Sequence, residues 1–235
     1  SEKNAALPFA KKNNNNAENR SQHIDNDGKQ DKLCYRSTAK GSDTKNLIAG
    51  IIDTALQSLP IAKRMRWGSS RTEFVRPIQW LAIVFGEEVI HETIFELRSS
   101  NVSKGHRFHC NRELCITSAS SYESILREQG KVIADYDLRQ QMIRDQITAI
   151  GLSLGGHTVI SDDLLDEVSS LVEWPVALAG SFEERFLKVP PEALISSMKE
   201  HQKYFHVVDS NEKLMPHFIT VSNIESRDPQ KVIDG

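Results

Sequence analysis

Apolar residues recur at three- and four-residue steps through Leu47, Ile48, Ile51, Ile52, Ala55, Leu56 and Leu59, which predicts a helix over 46–59 with one wide apolar stripe. Pro60 closes it, because a proline ring cannot continue the ladder. Before it, residues 32–38 alternate enough for a short strand. Residues 77–85 are dense in β-branched and aromatic side chains, and Gly86-Glu87 can turn them into a partner over 89–95. Ser120 or Ser121 starts a helix through Tyr122, Ile125 and Leu126, interrupted at Gly130. A longer helix runs to about Ile150, with Leu138, Met142, Ile143, Ile147 and Ile150 inward, and Gly151, Gly155 and Gly156 ending it.

Ser161, Asp162 and Asp163 open a third helix to Val172, since a hydroxyl cap and first-turn acids satisfy exposed amide dipoles. Trp174-Pro175 stops it, and 176–179 reads as a buried strand. Pro191 suits the first turn of another helix, with Ala193, Leu194, Ile195 and Met198 inward. Residues 204–208 and 214–221 then form antiparallel strands around 209–213. Helices and hairpins mix without regular strand–helix alternation, so the predicted class is α+β with antiparallel sheets. No internal repeat is visible.

Residues 1–31 are polar, with a run of asparagines at 13–16, and predict a flexible arm or loop. Residues 32–235 form the predicted α+β domain, divisible into two subdomains near 151–160. The first residue is not Met and the end has no terminating element, so the chain reads as a piece of a longer protein. Its 39% hydrophobic and 26% charged content is that of an ordinary globular protein, and no apolar run approaches the roughly 20 residues that span a bilayer. Cys34, Cys110 and Cys115 are odd in number and lack paired spacing, which predicts reduced thiols in a cytoplasmic protein.

A net charge of −3 gives no global attraction to a polyanion, so any RNA contact rests on local patches. Lys63, Arg64, Arg66, Arg71 and Arg76 stand against one acid, Glu73, with Trp67 among them. A second cluster holds Arg98, Lys104, Arg107 and Arg112, interleaved with His106, Phe108 and His109. The competing account of both is a solvated, salt-bridged face. His106 and His109 have a His-x-x-His spacing but no conventional third ligand; His109 reads as structural and 104–107 as a backbone-contacting loop. Ser197 and His201 share a helix face, yet no orienting carboxylate or oxyanion site can be placed. A polar groove of Ser196, Ser197, Lys199, His201, Gln202, Lys203 and His206 is the more economical reading. The glycine-rich 151–156 segment is a connector, and Trp67, Trp80 and Trp174 are core anchors, with Trp67 the most exposed.

The run 188–229, together with KRMRWG at 63–68, EFVRPIQWL at 73–81 and LVEWPVALAGSF at 171–182, resembles the beta subunit of bacterial two-subunit glycyl-tRNA synthetases. The likeness extends from about Lys29 to the end of the chain. It implies that ATP, Mg2+ and glycine activation belong to a separate alpha subunit, and that this chain binds no cofactor or metal and is not catalytic alone. It further implies three partners, namely the alpha subunit, tRNA(Gly) and the rest of the beta subunit, all in the cytoplasm and none at a membrane. The candidate tRNA contacts, read from the two basic clusters and the polar helix, are Lys63, Arg64, Arg66, Trp67, Arg71, Arg76, Lys104, Arg107, Lys199 and Lys203. In placement the region resembles a domain of phenylalanyl-tRNA synthetase beta subunits, some of which edit mischarged tRNA. The alternatives are therefore an editing hydrolase centred on Ser197 and His201, or a purely structural interface module.

Overall fold

The computed structural model describes Ser21–Asn26, Asp31–Arg36 and residues 40–234. The chain divides into two units, Ser1–Ile51 and Ile52–Gly235. In the first, β1 (Ser21–Asn26) and β2 (Asp31–Arg36) pair antiparallel, from Ser21↔Arg36 to Asn26↔Asp31. The asparagine run at 13–16 lies outside the described residues. Helix α1 (Thr44–Ser58) begins where the Asp43 carboxylate accepts the backbone N–H of Lys45 at 3.2 Å. The predicted apolar stripe is present, but no residue of α1 is buried.

The second unit holds the core. Asp135 caps α3 (Tyr136–Ser153) by accepting the Leu138 N–H at 2.9 Å, once a short α2 (Tyr122–Ile125) has ended. Helix α4 (Asp162–Leu171) follows from Ser161 as predicted, although the Ser161 hydroxyl makes no capping bond. These two helices lie on a four-stranded antiparallel sheet, ordered β11 (His157–Thr158), β13 (Phe205–Val208), β14 (Leu214–Ser222) and β12 (Val176–Ser181). Ile143 and Ile147 from α3, Leu164, Leu165 and Val168 from α4, and Phe205, Val207 and Ile219 from the sheet form one buried cluster. Alternation along β13 sends Phe205 and Val207 to the helices and leaves His206 opposite Phe218 on the other face. On that face Tyr204 stacks on Phe218 at 4.6 Å. Gly180 is required beneath that ring, because a Cβ there would lie 2.2 Å from it.

Two details of the periodicity fail. Leu138 is exposed, and α3 continues past Gly151 to Ser153. Gly151 does not end the helix; a Cβ on it would stand 2.4 Å from Thr158 Oγ1, so it lets β11 approach the last turn. Gly155, at φ +79, makes the actual turn.

The stretch from 65 to 98 is a chain of two-residue hairpins in place of the long strands predicted. β3 (Met65–Arg66) pairs with β4 (Glu73–Phe74), β5 (Val84–Phe85) with β6 (Glu88–Val89), and β7 (Thr93–Ile94) with β8 (Leu97–Arg98). The turn at Gly86-Glu87 is where it was expected. β9 (Val102–Lys104) and β10 (Glu113–Cys115) make a further hairpin that the pattern missed. Residues 81–83 run beside Ser100, whose carbonyl accepts Ile83 N–H at 3.0 Å and whose N–H donates to Leu81 at 2.9 Å. That pairing fixes Trp80 next to β9. No helix among the described residues is long and apolar enough to cross a membrane.

Candidate nucleic-acid interface

Two strand-like segments and the loop between β9 and β10 converge on the second basic cluster. Trp80, placed by the 81–83 pairing, is 42% exposed. Lys104, at the end of β9, holds its ammonium 5.4 Å from the Trp80 ring centroid, within cation–π range. Arg107 and Asn111 come from the β9–β10 loop. With Gln79, Pro77 and Ile78 these residues line an open cleft of about 680 Å³. On its other side Trp80 borders a second recess of about 380 Å³ lined by Leu81, Val84, Ile116 and Tyr122. Phe108, next to Arg107, is 76% exposed.

The loop that presents Arg107 and Phe108 is tightly held. His106 is buried, and its Nδ1 accepts the backbone N–H groups of Phe108 at 3.2 Å and His109 at 3.3 Å. Its own N–H donates to Gly130 at 2.7 Å and its carbonyl accepts from Cys110 at 2.8 Å. Two accepted bonds at Nδ1 put the ring proton on Nε2, which is buried without a partner. His109 Nε2 accepts the Glu225 N–H at 3.0 Å, which ties the loop to the segment after β14. Among the described residues, no group of three or more His, Cys, Asp or Glu stands close enough to hold a metal ion. Cys110 is buried and Cys115 exposed, both free; the Cys34 side chain lies outside the described residues.

The first cluster is partly spent on the protein itself. Arg66 pairs with Glu73 across the β3–β4 hairpin at 2.5 Å, and Arg64 donates to the Gln57 carbonyl at 3.0 Å. Arg76 donates to the carbonyl of Val75 at 3.2 Å. Lys63 and Arg71 are exposed and carry no ion pair among the described residues. Trp67 is half-buried, so the most exposed tryptophan is Trp80 and not Trp67. Trp174 is tied down instead, its indole N–H donating to Glu225 at 3.1 Å.

The polar groove lies along α5 (Pro191–Ser196) and the wide turn Ser197–Gln202 that extends it. Ser196, Ser197, His201 and Gln202 are exposed, and none of their side chains makes a hydrogen bond among the described residues. Ser197 and His201 are thus not joined. Lys203, in a left-handed conformation at φ 58, pairs with Glu167 of α4 at 2.9 Å. Burial, and secondarily the Lys199 charge, lower the His206 pKa below 6.5. The unfolded chain therefore takes up this proton before the folded one does. Stability from this group is complete above pH 6.5 and is lost as pH falls through the depressed folded value. Urea midpoints at pH 7.5 and 5.5 should accordingly differ less in His206→Gln than in the parent; equal differences would refute the assignment.

Of the residues singled out from sequence, Lys104 and Arg107 are thus brought together around an aromatic ring, Lys199 lies near His206, and the 63–76 cluster stays on its own hairpin. Trp80 and Tyr122 are the residues that sequence reasoning missed. An apolar pattern sends a tryptophan inward, and only the pairing of 81–83 with Ser100 turns this one out.

Comparison with known proteins places these residues in a family. The chain matches, over residues 1–235, the family described as glycyl-tRNA synthetase beta subunit. It is 51% identical over 204 residues to a glycine–tRNA ligase beta subunit of Marinobacter nauticus, covering 86% of this chain and 29% of that relative. Proteins of the same name from Hahella chejuensis and Yersinia pestis are 51% and 50% identical over 203 residues, with 86% of this chain and 29% and 30% of the relatives covered. The chain thus spans less than a third of the length of these relatives.

Proposed function

As the chain belongs to the glycyl-tRNA synthetase beta subunit family, we propose that it supports ATP-dependent attachment of glycine to tRNA(Gly) by holding tRNA at the Trp80–Lys104–Arg107 cleft. Glycine activation, with its ATP and Mg2+, is assigned in this reading to the alpha subunit. The alpha subunit and the remainder of the beta subunit are the protein partners, and the cytoplasm is the compartment. The antiparallel α+β architecture is read as akin to the domain of phenylalanyl-tRNA synthetase beta subunits that precedes their later helical regions.

The observation that carries the proposal is the cleft. It sets two cations beside an exposed indole, in a protein whose net charge of −3 offers no diffuse attraction to RNA. Ammonium and guanidinium groups bind phosphate oxygens and release condensed counterions, so each such contact leaves a mark on the salt dependence. Lys63 and Arg71 supply a second, outlying positive site on the 63–76 hairpin. Lys203 contributes less, since its charge already serves Glu167.

The test is a tRNA titration of the whole beta subunit at several salt concentrations. Lys104→Ala combined with Arg107→Ala should weaken binding and make the slope of log K against log salt shallower by about 1–2. Lys203→Ala should leave both nearly unchanged. If the double variant binds with the parent's affinity and slope, the cleft is not the tRNA contact.

A further inference from the structure

We infer that the Trp80 site takes an unpaired nucleotide of the RNA, its base against the aromatic recess and its phosphate on the cationic side, and that it does not hold a duplex. The inference rests on the proposed RNA-binding role and deepens it by naming what the site receives.

Trp80 borders two recesses of different character. On one side the cleft brings the cationic and polar Lys104, Arg107, Gln79 and Asn111 beside the apolar Pro77 and Ile78. On the other, the recess of about 380 Å³ is lined by Leu81, Val84, Ile116 and Tyr122, and carries no charged side chain. A nucleotide has this same division: a flat apolar base with polar edges, and a charged phosphate one sugar away. Lys104, now above the indole at 5.4 Å, is within reach of a phosphate there without leaving the ring's neighbourhood.

A duplex would not use these features. Its bases are stacked on each other and its outer surface is phosphate, so a duplex-binding face needs exposed cations and gains nothing from aromatic rings set in recesses. Single strands, by contrast, stack their bases on tryptophan, tyrosine or phenylalanine. Phe108 adds a second ring one residue from Arg107, 76% exposed and held out by the His106-anchored loop. An apolar ring displayed so far into water beside an arginine is explained by a neighbouring base of the same strand. The Trp80–Lys104 pair, and Phe108 with the adjacent Arg107, then serve one strand of RNA.

The experiment uses the whole beta subunit and two fluorescein-labelled probes, a single-stranded RNA nonamer of mixed sequence and a blunt RNA duplex of the same length. The single strand should bind more tightly, and Trp80→Ala should weaken it about tenfold or more, by the worth of one stacked base. Phe108→Ala should weaken it in the same direction. Duplex affinity should not respond to either change. Circular dichroism of each variant, matching the parent, keeps a loss of fold from passing as a loss of stacking. Preference for the duplex, or a single-strand affinity indifferent to Trp80→Ala, would overturn the inference. The two proposals separate cleanly. If Lys104→Ala with Arg107→Ala weakens tRNA binding while Trp80→Ala does nothing, the interface stands and the nucleotide does not. If neither changes binding, both fall.

Discussion

Phe205→Ala is expected to lower the free energy of unfolding by about 3–5 kcal/mol. Phe205 has no solvent-exposed surface, stands on the second strand of the four-stranded sheet, and is the largest of the fully buried side chains. It pairs in register with Ile219 and packs with Ile143, Ile147 and Leu165. Truncation removes the transfer energy of a whole ring and leaves a cavity between sheet and helices. Such a cavity closes poorly, because both layers are fixed by their own hydrogen bonds. Phe186, on a surface turn and 41% exposed, supplies the control, and its truncation should cost clearly less, about 1 kcal/mol. Urea titrations followed by circular dichroism compare the two. A loss below about 1 kcal/mol for Phe205→Ala would show that the sheet and the two helices do not form the stability core described.

That core was legible in the sequence, and the reason is physical. Ile143 and Ile147 repeat at helical spacing, Leu164, Leu165 and Val168 do the same after an acidic start, and Phe205 and Val207 alternate as a strand does. Each pattern spans enough residues for its period to be unambiguous. The hairpins between 65 and 98 were not legible, because two residues cannot display a period of two. The turn at Phe95-Glu96 is built from non-glycine residues at φ 54 and 62, so it carries none of the usual turn chemistry. The helix-like turns ending at Lys131 and Lys203 are similar, closed by lysines in the left-handed conformation where a glycine signal would be sought. Gly130, read as the interruption of the helix, is indeed its last residue before the Lys131 cap, and it is also buried under Leu114, 2.8 Å from where its Cβ would lie.

The candidate site divides along the same line. Charge is local information, so Lys104 and Arg107 could be picked from their neighbours in sequence. The partnership with Trp80 could not, since it depends on residues 81–83 lying beside Ser100 rather than continuing as a hairpin strand. Charge alone also overstates the 63–76 cluster. Glu73 is a single acid among five bases, yet the β3–β4 register sets it directly across from Arg66. One hairpin thus commits Arg66 to an ion pair and leaves Lys63 and Arg71 as exposed cations without one among the described residues.

His106→Leu is expected to cost about 2–4 kcal/mol and to loosen the loop that carries Arg107 and Phe108. Leucine keeps most of the ring's volume but accepts no hydrogen bond, so the Phe108 and His109 N–H groups lose their shared acceptor within a partly buried loop. His106→Asn separates the bonding from the ring, because its side-chain oxygen can occupy nearly the position of Nδ1. The asparagine variant should recover much of the stability and most of the single-stranded RNA affinity, whereas the leucine variant should lose both. His106→Gln, which reaches instead toward Nε2, should behave more like leucine. The order of the three variants distinguishes a positioning role from mere filling of space: filling predicts that leucine is the mildest change and that asparagine, the smallest, is the worst. An unpaired Nε2–H is the standing cost of the arrangement, and a loop that exposes Phe108 to water bears a further one. Both costs fall on the segment that presents Phe108 and Arg107, and the RNA binding proposed above is the process that would offset the second by covering the ring.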